Sequence, residues 1–269
     1  LMSKQYDDDW DNRKAFPEVE AWNEKCKERS LDFSRSVSFQ MDNAYGSHPR
    51  NRIDVLPGKT GLPTFFHIHG GYWQWNNKED YLCVGEALHR MGLNTVFVEH
   101  TLAPDATMDE IVAEVRAGLS WFKLHRHEFG IENPDIIVSG HSSGGHLAAM
   151  CQSETSVIGT VLTSGIYDLR PITQIYVNDV VGMDEEMAKR NSPALHPKRY
   201  ESFALIAYGE LELKTFREQS IGYNRGLVSE ASETVLLPIS NRGHFDVLDE
   251  LMNGDGVIFR ALMDKLKLK

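Results

Sequence analysis

From position 64 to the end, short apolar runs alternate with longer stretches whose apolar residues recur every three or four positions. Runs of the first kind lie at 64–69, 94–99, 135–138, 157–164, 203–209 and 233–238. They are apolar on both faces, as strands buried inside a parallel sheet are. Stretches of the second kind lie at 78–91, 107–130, 143–150, 215–229 and 245–267. The clearest is the second, opening with Thr107-Met108-Asp109-Glu110, a capping box, after which Ile111, Val115, Leu119 and Phe122 share one face. Gly92 and Gly130 stand where helices stop, and Gly254–Gly256 interrupts the last one. Strand–helix alternation of this length predicts an α/β fold with a mostly parallel sheet and helices on both faces.

Two regions depart from that rhythm. Ahead of it, 36–40 and 52–56 read as an antiparallel strand pair joined by the turn-rich 42–49, placed at a sheet edge. Positions 1–34 are charged, with Trp10, Phe16, Val19 and Trp22 spaced as for a short helix or a clamp over the main body. The second departure, 167–197, is rich in charge and proline and reads as a small cap insertion. With no repeat, low-complexity tract or linker, residues 1–269 are expected to form one domain.

The chemistry concentrates at Gly140-His141-Ser142-Ser143-Gly144, between the strand at 135–138 and the helix that follows. A G-x-S-x-G turn of this kind strains the serine backbone, and glycines let strand and helix pass closely. It exposes the Ser142 hydroxyl and aims the Ser143 amide at the same point. Ser143 itself is out of frame as the nucleophile, because His141 would replace the first glycine.

A serine hydroxyl needs a base, and the base a carboxylate to orient it. His244, in the loop between the last strand and the last helix, is the expected base; His196, in the cap region, is the poorer rival. The acid should follow the strand at 203–209. Glu212 is preferred, Glu210 is the runner-up, and Asp168 is a third choice; Asp246 is too close to His244 along the chain and more naturally caps the final helix.

His69-Gly70-Gly71-Tyr72-Trp73, after a central strand, is positioned to complete an oxyanion hole, with the Gly71 and Tyr72 amides joining that of Ser143. Tyr72, Trp73 and Trp75 cluster beside it, either as plain packing or as the wall of a flat, apolar substrate site.

Composition narrows the partners. A chain of 269 residues, 41% hydrophobic, is long enough for one large core, and a net charge of −11 repels nucleic acid and anionic membrane. No apolar run approaches the roughly 20 residues of a membrane span. The polar, acidic 1–11 is no secretory signal, and Cys26, Cys83 and Cys151 show no metal spacing. Reduced thiols in a cytoplasmic protein, with no metal and no cofactor, are expected.

The two glycine motifs resemble those of the α/β-hydrolase fold, and within it the kynurenine formamidase (arylformamidase) branch near the hormone-sensitive-lipase-like esterases. Gln5-Tyr6, Asn12-Arg13 and Pro17 are similar to that branch's N-terminal segment. Ser164-Gly165-Ile166-Tyr167-Asp168-Leu169, Ser192-Pro193 and Phe216-Arg217-Glu218-Gln219-Ser220 extend the likeness over nearly the whole chain. The resemblance implies a Ser142–Glu212–His244 triad, with Glu where Asp is commoner and Gly243 where Asn often precedes the histidine. The interval of about 70 residues from serine to acid implies a small cap.

The expected activity is hydrolysis of a small aryl formamide or related amide through an acyl-enzyme. A carboxylesterase acting on short-chain esters is the close alternative. A ligand-binding receptor on the same fold, which should lack nucleophile or base, and a serine peptidase rank lower. The expected partner is a small molecule with an amide or ester carbonyl, and a homodimer is left open.

Overall fold

The computed structural model describes residues 6–269; Gln5 and the start of the expected N-terminal segment lie outside the described residues. Eight strands form one sheet in the order β1-β2-β4-β3-β5-β6-β7-β8. They are β1 (Gln40–Ala44), β2 (Arg52–Leu56), β3 (Thr64–Ile68), β4 (Asn94–Val98), β5 (Ile136–His141), β6 (Val157–Thr163), β7 (Phe203–Gly209) and β8 (Thr234–Ile239). β2 runs antiparallel to both of its neighbours, and the pairs from β4 through β8 are parallel. Every residue of β3, β4, β5 and β7 is buried, which is what their uninterrupted apolar runs require.

Helices cover both faces: α1 (Val19–Ser36), α2 (Glu86–Met91), α3 (Met108–His125), α4 (Ser143–Met150), α5 (Lys214–Ser229) and α6 (Val257–Leu266). Two apolar layers result, one built around Phe66, Phe122 and Tyr167 and the other around Phe65, Phe97 and Leu262. Burying each such side chain contributes about 1.5–3 kcal/mol. The Thr107 cap is complete: Thr107 Oγ1 accepts from the Glu110 amide at 3.3 Å, and Glu110 Oε2 accepts from the Thr107 amide at 2.7 Å. Gly92 ends α2 at φ 106°.

Two boundaries differ from the sequence reading. The strand expected at 36–40 begins at Gln40, and Asp42 and Asn43, expected in a turn, belong to it. Val37 and Phe39 are apolar because they pack under the sheet, Phe39 against Phe33 and Phe97, whereas pairing starts only where Gln40 meets Val55. The run 78–91 is an irregular helical stretch to Gly85 before α2. There Lys78 reaches the fully buried Asp54 at 3.0 Å, and Tyr81 leaves helical geometry at φ −122°, ψ 15°. The closing stretch is interrupted where expected, dividing into Asp249–Met252 and α6 at Gly256, where a Cβ would lie 2.2 Å from the Glu250 carbonyl oxygen.

Residues 167–197, between β6 and β7, form short helical turns, including Asn178–Val181 and Glu185–Arg190. Ile172, Ile175 and Val177 bury them against the core. The N-terminal segment crosses the same end of the molecule: the Trp10 carbonyl accepts from Tyr72 Oη at 2.6 Å, and Cys26 of α1 meets Cys83 with their sulfurs 3.0 Å apart as free thiols. No helix among the described residues is long and apolar enough to cross a membrane.

Candidate active site

The C-terminal ends of β3, β5, β6, β7 and β8 deliver one group each to a common point: the His69-Gly70-Gly71 loop, Ser142, Ser164, Glu212 and His244. Ser142 occupies the turn between β5 and α4 at φ 58°, ψ −123°. That left-handed conformation costs about 1–3 kcal/mol in a residue with a side chain and persists only where its surroundings enforce it. They do so by contact. A Cβ on Gly140 would lie 1.9 Å from the Gly144 oxygen, and one on Gly144 would lie 2.1 Å from the Ile68 oxygen. Gly140→Ala therefore has no room to relax, because backbone meets backbone. It is expected to cost at least about 3 kcal/mol, or about 6–12 °C in Tm, read by thermal unfolding; an unchanged Tm would show that the turn is looser than this contact demands.

The Ser142 hydroxyl lies 2.9 Å from His244 Nε2 and donates to it. Across the ring, His244 Nδ1 faces Glu212 Oε2 at 3.6 Å, and neither atom has another hydrogen-bond partner among the described residues. This places the proton on Nδ1, toward the carboxylate. The distance is longer than a formed hydrogen bond, as is common in such sites before substrate closes them. Glu212 is held from its other oxygen, where Oε1 accepts from the Gly209 amide at 3.0 Å and from the Ser164 hydroxyl. Phe216 and Phe245 pack edge-on against the His244 ring, with centroids at 4.5 and 5.1 Å.

The rival groups lie elsewhere. Glu210 is exposed and its Oε2 accepts from Ser240 Oγ at 2.6 Å. Asp168 pairs with Arg170 at 2.7 Å. His196 is exposed in the 167–197 segment, bonded to the Lys189 carbonyl at 2.9 Å. Asp246, expected to cap the final helix, instead accepts from the Gly243 amide at 2.7 Å and so tightens the His244 loop.

The glycine loop after β3 is clamped through one peptide. The Gly70 carbonyl accepts from His69 Nδ1 at 2.8 Å and from Asn76 Nδ2 at 3.1 Å. In a trans peptide the C=O and the next N–H point in opposite directions, so fixing the Gly70 oxygen fixes the Gly71 N–H. Gly71, Tyr72 and Trp73 follow at φ 117°, 48° and 62°. The amides of Gly71 and Tyr72 donate to nothing among the described residues. That of Ser143, at the first position of α4, has no intrahelical acceptor. A Cβ on Gly70 would come 3.1 Å from Ser142 Cβ, so this loop runs directly beside the serine.

His69 carries acceptors on both ring nitrogens, because its Nε2 meets Glu99 Oε1 at 2.7 Å. Both nitrogens must then donate, which requires the imidazolium. Burial pushes its pKa down, but the Glu99 charge and hydrogen bond, with the Gly70 carbonyl, outweigh it and raise the value. Burial likewise pushes Glu99 up, and His69, His100 and Arg50 together hold it at about 2. His141 behaves oppositely. Burial, with His244 nearby, drops its pKa to about 3, and its neutral ring donates from Nε2 to the His244 carbonyl at 2.6 Å. The base loop is thus tied to the residue just before Ser142.

Ser142 and His244 open onto a cavity of about 50 Å³. Gly70, Gly71, Tyr72 and Trp75 wall one side, Tyr176 comes from the 167–197 segment, and Asn12 and Asn23 come from the N-terminal segment.

The comparisons with known proteins agree with one another. The BD-FAE family model matches residues 56–221. Kynurenine formamidase of Salmo salar is 32% identical over 94% of this chain and 91% of that protein. The Danio rerio kynurenine formamidase is 30% identical over 94% and 91%. The chain belongs to the kynurenine formamidase family. It is a hydrolase of the α/β-hydrolase fold. The same fold recurs in a putative thioesterase from silicibacter sp. tm1040, with a TM-score of 0.84 at 22% identity over 96% of this chain and 98% of that one. It recurs also in the thermophilic carboxylesterase EstE1, with a TM-score of 0.74 at 19% identity over 93% and 97%.

In this family member one expected wall residue is absent from the cavity. Trp73 is 1% exposed and donates from Nε1 to His146 Nδ1 at 3.1 Å, inside the core. Its left-handed backbone turns the ring under the loop, away from the opening that Tyr72 and Trp75 line. Sequence reasoning also missed Ser164, Asn76, Glu99 and His141 as supports. His141 stood inside the G-x-S-x-G match, and Ser164 ended a strand beside it; nothing local marked Asn76 or Glu99.

Proposed function

We propose that this chain is a cofactor-independent serine hydrolase that cleaves the amide bond of a small aryl formamide, with Ser142 as nucleophile, His244 as base and Glu212 as its orienting acid. The observation that carries this reading is the continuous line of contacts Ser142 Oγ to His244 Nε2 at 2.9 Å and His244 Nδ1 to Glu212 Oε2 at 3.6 Å. Ser142 Oγ attacks the carbonyl carbon as its proton passes to His244 Nε2. Glu212 stabilises the resulting imidazolium, and the Gly71, Tyr72 and Ser143 amides hold the oxyanion, each such donor contributing about 2.7–4 kcal/mol. His244 returns the proton to the departing aryl amine, leaving an acyl-Ser142. Water, deprotonated by His244, attacks that ester and releases the acid and free serine.

The narrow cavity beside Ser142 supports a short acyl group: about 50 Å³ holds only a few water-sized groups. The curated kynurenine formamidases among the relatives support a formamide, and esterase relatives such as the probable carboxylic ester hydrolase LipM of Mycobacterium tuberculosis, 27% identical over 52% of this chain, keep a short-chain ester as the second reading. Steady-state assays of the purified protein against N-formylkynurenine and a p-nitrophenyl ester series test the choice. The formamide is expected to have the higher kcat/KM, with ester rates falling as the acyl chain lengthens; rates that rise toward long acyl chains would overturn it.

A further inference from the structure

The Asn12-Arg13 pair, part of the familial N-terminal stretch, has no role in the steps above. Asn12 is 5% exposed, and neither its Nδ2 nor its Oδ1 has a hydrogen-bond partner among the described residues. It lines the same cavity as Ser142 and His244. Its backbone is rigidly set: Asp11 caps the turn by accepting from the Lys14 amide at 3.0 Å, the Asn12 carbonyl accepts from the Phe16 amide at 3.0 Å, and Tyr72 holds the adjoining Trp10 carbonyl at 2.6 Å. Two neighbouring polar wall groups are already engaged, Asn76 with the Gly70 carbonyl and Arg13 with Glu20 and the face of Trp75.

A buried carboxamide with both ends unpaired is costly, and a ligand that pairs an end recovers part of that cost. The substrate's carbonyl oxygen is taken by the Gly71, Tyr72 and Ser143 amides, so the group left for Asn12 is the amide N–H, which donates to Asn12 Oδ1; an ester offers acceptors alone and leaves Asn12 Oδ1 unpaired. We infer that Asn12 is a specificity-determining residue of this site, its carboxamide pairing with the substrate's amide group and favouring formamides over the matching esters. This rests on the serine-hydrolase reading of the same cavity and adds the basis on which it selects between its two candidate substrate classes.

The test uses formanilide and phenyl formate, which share acyl group and ring and differ in N–H against O. In Asn12→Leu, which keeps the branching at Cγ and has no polar atoms, the amide-to-ester ratio of kcat/KM is expected to fall about tenfold to a hundredfold, carried in KM for the amide. Tm should hold or rise, because the replaced group bonds nothing in the free protein. Asn12→Asp keeps an acceptor for the amide N–H and should lose less of the ratio, which also covers the case in which the leucine variant fails to fold. A ratio unchanged in both variants overturns the inference. So does a lowered Tm with both substrates falling together, the mark of a structural side chain, and so does wild-type protein that cleaves phenyl formate alone. If the wild type cleaves neither compound, or Ser142→Ala cleaves both, the serine-hydrolase reading itself has failed.

Discussion

Ser142→Ala is expected to fold as the wild type does and to lose about 10⁶-fold in kcat, the loss seen when a serine hydrolase gives up its nucleophile. Folding should survive because Oγ makes no bond that holds the structure; its partner is His244 Nε2 at 2.9 Å. The turn itself is enforced by Gly140 and Gly144 against neighbouring backbone, and alanine carries the same Cβ through it. What disappears is the covalent step. The oxyanion donors and the cavity remain, so a residual rate above that of water is expected. A phosphonate probe should label wild-type protein at Ser142 alone, read by peptide mass mapping. Substantial turnover by the alanine variant, or labelling at Ser143 instead, would sink the mechanism.

Glu212→Gln is expected to lower kcat by about 10⁴-fold with KM little changed. The amide oxygen can still accept from the Gly209 amide and the Ser164 hydroxyl, as Glu212 Oε1 does now, so the side chain should stay in place. Its other end then presents an NH₂ to His244 Nδ1. That favours the wrong tautomer, puts the proton on Nε2 where Ser142 needs an acceptor, and removes the charge that stabilises the imidazolium. Glu210→Gln and Asp168→Asn should change kcat only a few-fold, because their carboxylates face Ser240 and Arg170 rather than the base. All three variants can be compared on one ester substrate with circular dichroism as the folding control. A large loss in either of the latter two, with Glu212→Gln near normal, would move the acid while leaving Ser142 and His244 in place.

The arrangement around His69 shows how much of an active site is support. A buried imidazolium–carboxylate pair with Glu99 fixes one peptide, and that peptide aims the Gly71 amide. Neutral His141 ties the base loop to the serine turn in the same manner, from the middle of the motif that announces the serine. These side chains supply no reacting atom. In the proposed mechanism their contribution is to hold the donors and the base where water cannot reorganise them.

The sequence by itself determined the parts whose causes are local. Apolar runs and their periods marked the strands and helices, the Thr107 cap and Gly92 marked their ends, and the spacing of Gly140 and Gly144 around Ser142 marked the strained turn, because each depends on backbone geometry within a few residues. Only the tertiary structure decided the parts that depend on which distant segments meet. Glu212 and Glu210 follow the same strand, and their surroundings separate only when β8 and its loop bring His244 against Glu212. Trp73 and Trp75 read alike as aromatics beside a glycine pair, and the positive φ values of the loop send one into the core and the other to the cavity. The strand at Gln40 starts where its partner allows rather than where its apolar residues begin. Asn12 becomes part of the cavity wall only because the N-terminal segment folds back across the ends of the strands; the spacing of its aromatic residues suggested a clamp but not which polar residue would face the cavity.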